Sequence, residues 1–412
     1  MSFNLLKIWA ITGLLWVWLP GQSQLELYGY GMRLGPSDIS SRGMGGITII
    51  PGSSSEPLYS NPASWYRADN THLNIALGHS RTAISGNDDL YRTRFQGLNF
   101  IAHTNNRTAW GIGLEPYSRM NLAGQDTVDT VLDSGDSLQY AERRISIGGI
   151  STLRMGYSRK IADNVSVGVN LLIQFGTITD RDTIAFLETG RWDDELGTSL
   201  VSERRSEFSG KMLDLALLWD NPFERPGQLG LKMTWPLSLS AVNHTALPGI
   251  ISESKQIYRD MVQPATFNLG FGYDLTARQR LAGEYSRMAN FGADQGQELF
   301  SKTIERANAF RLGWTFYTTR TNAINTRKLF YRLGLKRESY YLYGSGNTPW
   351  IETGITLGLG LPYARSHRVD LSVELGSRED LNSLLPKEDF LIISLGITTG
   401  ELWFARQKKE WD

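Results

Sequence analysis

Alternation of apolar and polar residues with a period of two, repeated about fourteen times along 412 residues, constrains this chain more than any other feature. In the segment Val165 to Gly176, Val165, Val167, Val169, Leu171, Ile173 and Phe175 share one face of a strand. Ser166, Gly168, Asn170, Gln174 and Gly176 point the other way, and Leu172 alone departs from the pattern. The period recurs in Phe267, Leu269, Phe271 and Tyr273, and in Phe310, Leu312, Trp314 and Phe316. It returns near the C-terminus in Val369, Leu371, Val373 and Leu375 and in Leu391, Ile393, Leu395 and Ile397. One face of each segment suits hydrocarbon and the other suits water.

A soluble β-sandwich alternates too, so the period alone does not choose between solvents. Residues 1–23 read as a signal peptide, with Lys7 as the positive start, Ile8 to Leu19 as the apolar core and Gly21-Gln22-Ser23 as the cleavage site. The mature chain is therefore expected to be exported. No later segment offers roughly 18 uncharged apolar residues, so no spanning helix is expected. A mean hydropathy of -0.27 suits a barrel whose polar residues line its inside. Cysteine is absent, which excludes disulfides, thiol catalysis and cysteine metal sites together.

Because a membrane barrel must pair every strand and leave no edge, the strand count tests the idea. The pattern predicts fourteen strands, near 70–80, 93–103, 107–116, 145–160, 164–178, 211–219, 228–242, 264–275, 278–288, 306–318, 327–341, 350–361, 366–378 and 389–402. Their connections alternate in length. Long ones are expected at 117–144, 179–210, 243–263 and 289–305, and tight turns at Asn105-Asn106, Ala162-Asp163-Asn164, Thr276-Ala277 and Tyr363 to Ser366. Asp220 to Gly227 and Thr319 to Thr326 are expected to be somewhat longer. Long loops outside, short turns in the periplasm and an even count that returns both termini to the periplasm are the asymmetry of an outer-membrane barrel. The expected fold is all-β: a 14-stranded antiparallel transmembrane barrel over 70–404 in a bacterial outer membrane, with a charged periplasmic tail at 405–412. Several strands exceed the nine to eleven or so residues needed to cross, so the barrel is expected to stand above the bilayer. Aromatics near strand ends, such as Trp110, Trp219, Trp235, Tyr340, Tyr341, Trp350 and Trp403-Phe404, suit a membrane belt.

Forty-two basic and forty-two acidic residues cancel, which gives no support for a nucleic-acid partner. The expected inward face carries Arg154, Lys232, Arg311, Arg332 and Lys336 together with Asp214, Glu284, Glu352, Asp370 and Glu374. These charges are either a polar path with paired walls or an ion-pair network that fills and stiffens the lumen. Fourteen strands lie between the filled small barrels and the 16 to 18-stranded water channels, so something is expected to fill this one.

The candidate filler is the segment 24–69. It contains Arg42-Gly43-Met44-Gly45-Gly46 and then, after a Pro/Gly/Ser-rich stretch at Pro51 to Pro57, Tyr59-Ser60-Asn61-Pro62-Ala63-Ser64-Trp65. Glycines permit close backbone approach, and Asn61-Pro62 favours a turn. Arg-Gly-Met-Gly-Gly, then Asn-Pro-Ala, then a first strand resembles the FadL-like superfamily, which includes the long-chain fatty-acid transporters and the PorV-type proteins of type IX secretion. The resemblance covers nearly the whole mature chain in architecture, with its sequence specificity in 42–65. It implies a barrel plugged by an N-terminal hatch that includes Arg42, Gly43, Met44, Gly45, Gly46, Asn61, Pro62 and Ala63. In transporter members a hydrophobic ligand enters from outside, occupies an apolar pocket above the hatch and leaves sideways through a gap in the wall. In PorV-type members the barrel serves a secretion translocon or surface-attachment machinery through its outer loops. The resemblance thus implies outer-membrane lipid and a hydrophobic small molecule as partners, or secretion proteins instead, and no cofactor. The charged loops at 117–144 and 179–210, in which Phe186, Leu187, Trp192 and Leu196 are apolar exceptions, tilt toward a protein partner. The tail after Gly400-Glu401-Leu402-Trp403-Phe404 departs from barrels that end on an aromatic residue.

Chemistry finds little footing. His72, His79, His103, His244 and His367 are scattered, with none in a metal spacing. A serine or acid with histidine at the rim, such as His79 with Asp88 and Asp89 or His244 with Ser252, has no independent support from spacing. The acidic run Asp126, Asp129, Asp133 and Asp136 lacks the ordered spacing of a calcium loop. No enzymatic activity and no bound metal are expected.

Overall fold

In the computed structural model the described residues are 31–53, 56–84, 89–131, 137–186, 199–247, 251–259, 261, 263–289, 306–322, 325–341, 349–364, 367–380 and 386–401. The signal peptide, residues 24–30, Leu187, Trp192, Leu196, Asp88, Asp133, Asp136, Trp403-Phe404 and the tail lie outside them.

The strands are β1 (Met32–Arg33), β2 (Thr71–Ile84), β3 (Leu90–Asn105), β4 (Thr108–Val131), β5 (Ser137–Ala162), β6 (Val165–Phe186), β7 (Ser199–Asp220) and β8 (Gly227–Leu247). They continue with β9 (Ile251–Tyr258), β10 (Ala265–Thr276), β11 (Gln279–Ala289), β12 (Arg306–Asn322), β13 (Asn325–Tyr341), β14 (Pro349–Ala364), β15 (His367–Asp380) and β16 (Glu388–Glu401). Fourteen of these close a ring of antiparallel neighbours. The ring runs from β2 in both directions, through β3, β4 and β5 on one side and β16 down to β10 and β8 on the other, and every neighbouring pair is hydrogen-bonded. The two others sit beside the ring, β1 on β4 and β9 on β8.

Each of the fourteen expected spans coincides with a strand of the ring, and the phase of alternation holds. Leu269, Phe310 and Leu375 are 50 %, 60 % and 55 % exposed, while their inward neighbours Asn268, Glu284 and Asp370 are buried. An apolar outside and a polar inside are the inverse of a soluble core, and they place hydrocarbon outside. Leu172, the departure from the pattern, faces inward and is buried.

The main difference from the sequence reading lies at the outer ends. The segments expected as loops at 117–144 and 179–210 are largely paired strand, so that β4 to β8 run 21 to 26 residues. Above the membrane the outward face of a strand meets water and turns polar, as at Glu203, Arg205 and Glu207, while the buried inward face mixes polar Ser206 with Phe208, so the hydrophobic period that reveals a strand is lost although the ladder continues. Segment 243–263 likewise continues β8 and adds β9, because β10 is only 12 residues long and leaves the outer half of β8 without that neighbour. The expected longer turn at 319–326 is tighter, since the β12–β13 ladder persists to Asn322↔Asn325.

One wall has a seam. β3 pairs with β4 only from Asn105↔Thr108 to Leu98↔Leu114, and among the described residues no ladder joins Leu90–Gly97 to β4. Two residues beyond Leu114 stands Pro116, which has no N–H to donate, and the β4–β5 register slips between Pro116 and Ser118. Opposite that slip are Gly148 and Gly149 with φ of +138° and +155°; a Cβ on either would overlap a carbonyl oxygen of the adjacent strand. This backbone is open to glycine and strained for other residues. Proline, bulge and glycine pair therefore bend β4 and β5 away from the β3 direction. The edge freed on β4 is taken by β1, with Met32↔Arg119 and Arg33↔Ser118 in register and Leu34 N–H donating to Tyr117 O at 3.1 Å.

Candidate functional site

Residues 31–68 lie within the ring, packed against the inward faces of its strands. The helix α1 (Ile39–Arg42) has a single turn, too short to persist alone. Asp38 caps it through its carboxylate, which accepts from Ser40 N–H at 2.9 Å. After α1 the Gly-Met-Gly-Gly turn runs along the wall. Gly45 has φ of +75° and a Cβ there would sit 2.7 Å from Leu335 O, while its N–H donates to Thr356 Oγ1 at 2.8 Å. Positive φ and close approach together demand glycine at this point. Met44, Ile47, Ile49, Ile50 and Ala63 then form a small apolar core with Ala216, Leu218 and Ala282 of the barrel.

The Asn-Pro-Ala motif has a local reason. Asn61 caps the 3-10 turn Pro62–Arg67 by accepting from Ala63 N–H at 3.0 Å, Pro62 occupies the first helical position, and Asn61 Nδ2 donates to Ile49 O at 2.7 Å. Asn61 thereby ties the two halves of the segment together. At its far end Arg67 forms a bidentate pair with Asp220 at 2.6 and 2.7 Å, joined by Tyr66 Oη at 3.2 Å.

The ten inward charges expected from the sequence are all inside the ring, and each has an ion-pair partner. Arg154 meets Glu115 at 3.3 Å, Lys232 meets Asp214 at 3.3 Å and Arg311 meets Glu284 at 2.7 Å. Arg332 meets Asp370 at 2.9 Å, and Lys336 bridges Glu352 and Glu374. Several of these groups also hold the N-terminal segment. Glu284 accepts from the N–H groups of Thr48 and Ile49 at 2.6 and 3.0 Å, and Lys232 Nζ donates to Ser60 O at 2.9 Å. Glu115 accepts from Ser37 Oγ at 2.7 Å. The sequence reading missed Glu338 on Arg311, Arg378 on Glu352 and Glu388, and the Glu56–Arg368–Asp370 chain. The inward phase of β3 and of the strand ends was the available signal for such groups. It places Arg92 and Arg94 on the lumen side of β3, and both are buried.

Between the segment and the barrel wall is a cavity of about 300 Å³. Its walls mix polar groups, among them Thr48, Ser60, Asn268 and several of the ion pairs, with apolar side chains such as Leu172, Met212 and Ile392. An apolar cluster of Met120, Ile150, Ile178, Phe208, Leu239 and Ala241 on β4 to β8 is completed by Met261, which follows β9, with Tyr117 and Tyr258 packed against it. Of the hydrolase-like combinations, Asp89 pairs with Arg81 at 2.5 Å, while His79 Nδ1 lies 2.9 Å from Thr93 Oγ1; Asp88 and the Ser252 side chain lie outside the described residues. Among the described residues no three His, Asp or Glu gather as a metal site.

Known proteins share this architecture. A monoaromatic hydrocarbon channel, CymD, superposes with a TM-score of 0.56 at 14 % identity, over 90 % of this chain and 99 % of that one. A Pseudomonas aeruginosa FadL homologue gives 0.57 at 11 % identity, over 90 % and 99 %. The Pseudomonas putida toluene transporter TodX gives 0.54 at 14 % identity, over 90 % and 100 %. At such identities the likeness is one of fold. No curated protein matches the sequence. The family model described as BamG matches residues 21–410, and the chain, whose barrel shares the fold of the FadL homologue, belongs to that BamG family.

Proposed function

We propose that the chain is a passive outer-membrane channel for hydrophobic small molecules, in which residues 24–69 act as the hatch and the β3–β4 seam as the sideways exit. The seam carries the reading. With residues 31–68 in the lumen, a straight path along the barrel axis is occupied, while the wall between β3 and β4 lacks a ladder from Gly97 outward. A ligand that prefers hydrocarbon to water gains by leaving through the wall. No energy source is needed, because differential affinity for lumen and lipid drives the movement. The signal peptide at 1–23 delivers the chain to this membrane. The channels CymD and TodX, named for hydrocarbons, share the fold and support the choice of substrate class.

A cysteine pair tests the exit. The chain has no cysteine, and a Cβ on Gly97 would lie 2.5 Å from Ser37 Cβ, so S37C/G97C can form one disulfide after a small shift. It would lock residues 31–37 onto β3. Uptake of radiolabelled toluene and palmitate by cells expressing the variant should fall under oxidation and recover on reduction. Equal uptake by the locked and reduced forms overturns the seam as exit.

A second reading rests on the height of β4 to β8. Their 21 to 26 residues exceed by about twofold the nine to eleven that cross a bilayer. The polar sheet standing outside could carry a protein partner in secretion or surface attachment. Native mass spectrometry of the gently extracted protein separates the two: a retained small hydrophobic molecule favours the channel, and a stoichiometric large protein favours the partner role.

A further inference from the structure

The charges around the lumen cavity do not balance, and the surplus is localised. Five carboxylates line it, Glu115, Asp214, Glu338, Glu352 and Glu374, and each is held by a cation within ion-pair distance. Three lining guanidiniums, Arg33, Arg42 and Arg94, form no ion pair among the described residues. Arg33 is satisfied in part by Met288 Sδ at 2.5 Å and by the Tyr117 ring at 4.8 Å. Arg42 spends two N–H groups on backbone carbonyls, Pro36 O at 2.7 Å and Gly35 O at 3.0 Å, and feels the carboxylates of Glu374, Glu352 and Glu115 without forming an ion pair with any of them. Arg94 has less still. It is 6 % exposed, its Nε is buried without a hydrogen bond, and the strongest charges acting on it are three cations, Arg42, Arg92 and Arg378, against the carboxylate of Glu374.

A buried guanidinium without an acceptor is costly, and a cluster of them is more so. Guanidinium groups present planar forks of N–H donors that match the paired oxygens of a carboxylate or phosphate. We propose that the cavity binds a small hydrophilic oxyanion, phosphate or carboxylate, held by Arg94 and Arg42 on the inner side of the β3–β4 seam. The neighbouring Thr48, Ser60, Thr152 and Asn268 offer hydroxyl and amide groups suited to a hydroxylated body behind the anion. About 300 Å³ is the lower end of the range for small-molecule pockets, which sets the size of the occupant. This site goes beyond the channel reading and does not depend on it.

The test uses the full chain in neutral maltoside micelles at low salt, with folding checked by heat-modifiable gel migration. Calorimetric titration is run with inorganic phosphate and with glucose 6-phosphate, and in a separate arm with micelles doped with dioleoyl phosphatidic acid against phosphatidylcholine. The expected result is saturable one-to-one binding, weakened about tenfold or more in R94Q and less in R94K, with the exposed-site control R107Q unchanged. R94Q should also melt at a higher temperature than the wild type in anion-free buffer, since an uncompensated charge is gone, and should gain nothing from added phosphate. A purely structural Arg94 would give the opposite: R94Q would melt lower and binding would not move. Binding of the soluble probes identifies a free anion, and binding of phosphatidic acid alone identifies a lipid headgroup reaching the site through the seam. The absence of saturable binding to any probe, or equal binding by R94Q, overturns the proposal. Toluene uptake is read separately, so the failure of one reading is distinguishable from the failure of the other.

Discussion

Leu269 and Leu275 provide a matched pair for testing where the membrane sits. Both lie on β10, face outward and are nearly equally exposed, at 50 % and 49 %, so Leu→Arg changes the same chemistry at two heights. β10 spans Ala265–Thr276, and Leu269 lies between one and two residues from its midpoint. At about 3.4 Å per residue and a tilt of roughly 40°, Leu275 lies about 12 Å from the midplane, close to the edge of an apolar band about 25 Å tall. Arginine near the midplane of a barrel wall costs about 2–4 kcal/mol, and near the interface about 0–1. The difference, roughly 2–3 kcal/mol, corresponds to about a 30- to 150-fold larger unfolding constant for L269R than for L275R. Guanidinium titration of the protein folded into phosphatidylcholine vesicles, followed by tryptophan fluorescence, reads both. Equal costs at the two positions, or a neutral L269R, would refute the placement of the bilayer on β10.

Two further outcomes probe the N-terminal segment. Deleting Gln24 to Asn61, which removes α1 and the Met44–Ile50 core, should raise single-channel conductance in planar bilayers, and unchanged conductance would reject the hatch assignment. Asp220→Ala takes the paired carboxylate from Arg67, whose side chain is 6 % exposed, and from Tyr66 Oη and Gln228, and should cost about 3 kcal/mol. Denaturant unfolding and faster trypsin cleavage after Arg67 would both report it.

The membrane-level half of every strand was legible because hydrocarbon on one face and water on the other write a period of two into residues such as Val165 to Phe175. The outer half of β7 was not: its outward face carries Glu203, Arg205 and Glu207, and its buried inward face mixes Ser206 with Phe208, so polar residues stand on both faces and the ladder leaves no hydrophobic period. Inward charges could be read from phase alone, as with Glu284 or Arg332, but their partners could not. Arg311 meets Glu338 across the β12–β13 hairpin, whose register is set by the position of the turn after Asn322, and the sequence reading placed a longer turn there. Pro116 and Gly148-Gly149 were visible as residues ill suited to a regular ladder, and the seam they create was a signal the strand reading passed over. The convergence of Arg42 and Arg94 was beyond reach, because one belongs to an irregular segment whose path only the folded structure defines.

The seam and the segment are mechanically one device on the hatch reading. Among the described residues, the backbone–backbone bonds between residues 31–68 and the barrel are confined to 32–34 against 117–119. The other hydrogen bonds and ion pairs pass through side chains, among them Glu115 to Ser37, Thr356 to Gly45, Glu284 to Thr48 and Ile49, Lys232 to Ser60, Asp220 to Arg67, and Arg368 to Glu56. Side-chain ties can break singly, each worth about 0.5–3 kcal/mol, whereas removing a barrel strand opens two full ladders at once. The segment can therefore move while the wall stays closed elsewhere. Its one ladder-like contact is on the β4 edge that Pro116 frees, so drawing β1 away exposes the same edge through which a ligand would leave. Release of residues 31–37 and opening of the wall then share a single energetic step, and the bond that matters most is Leu34 to Tyr117.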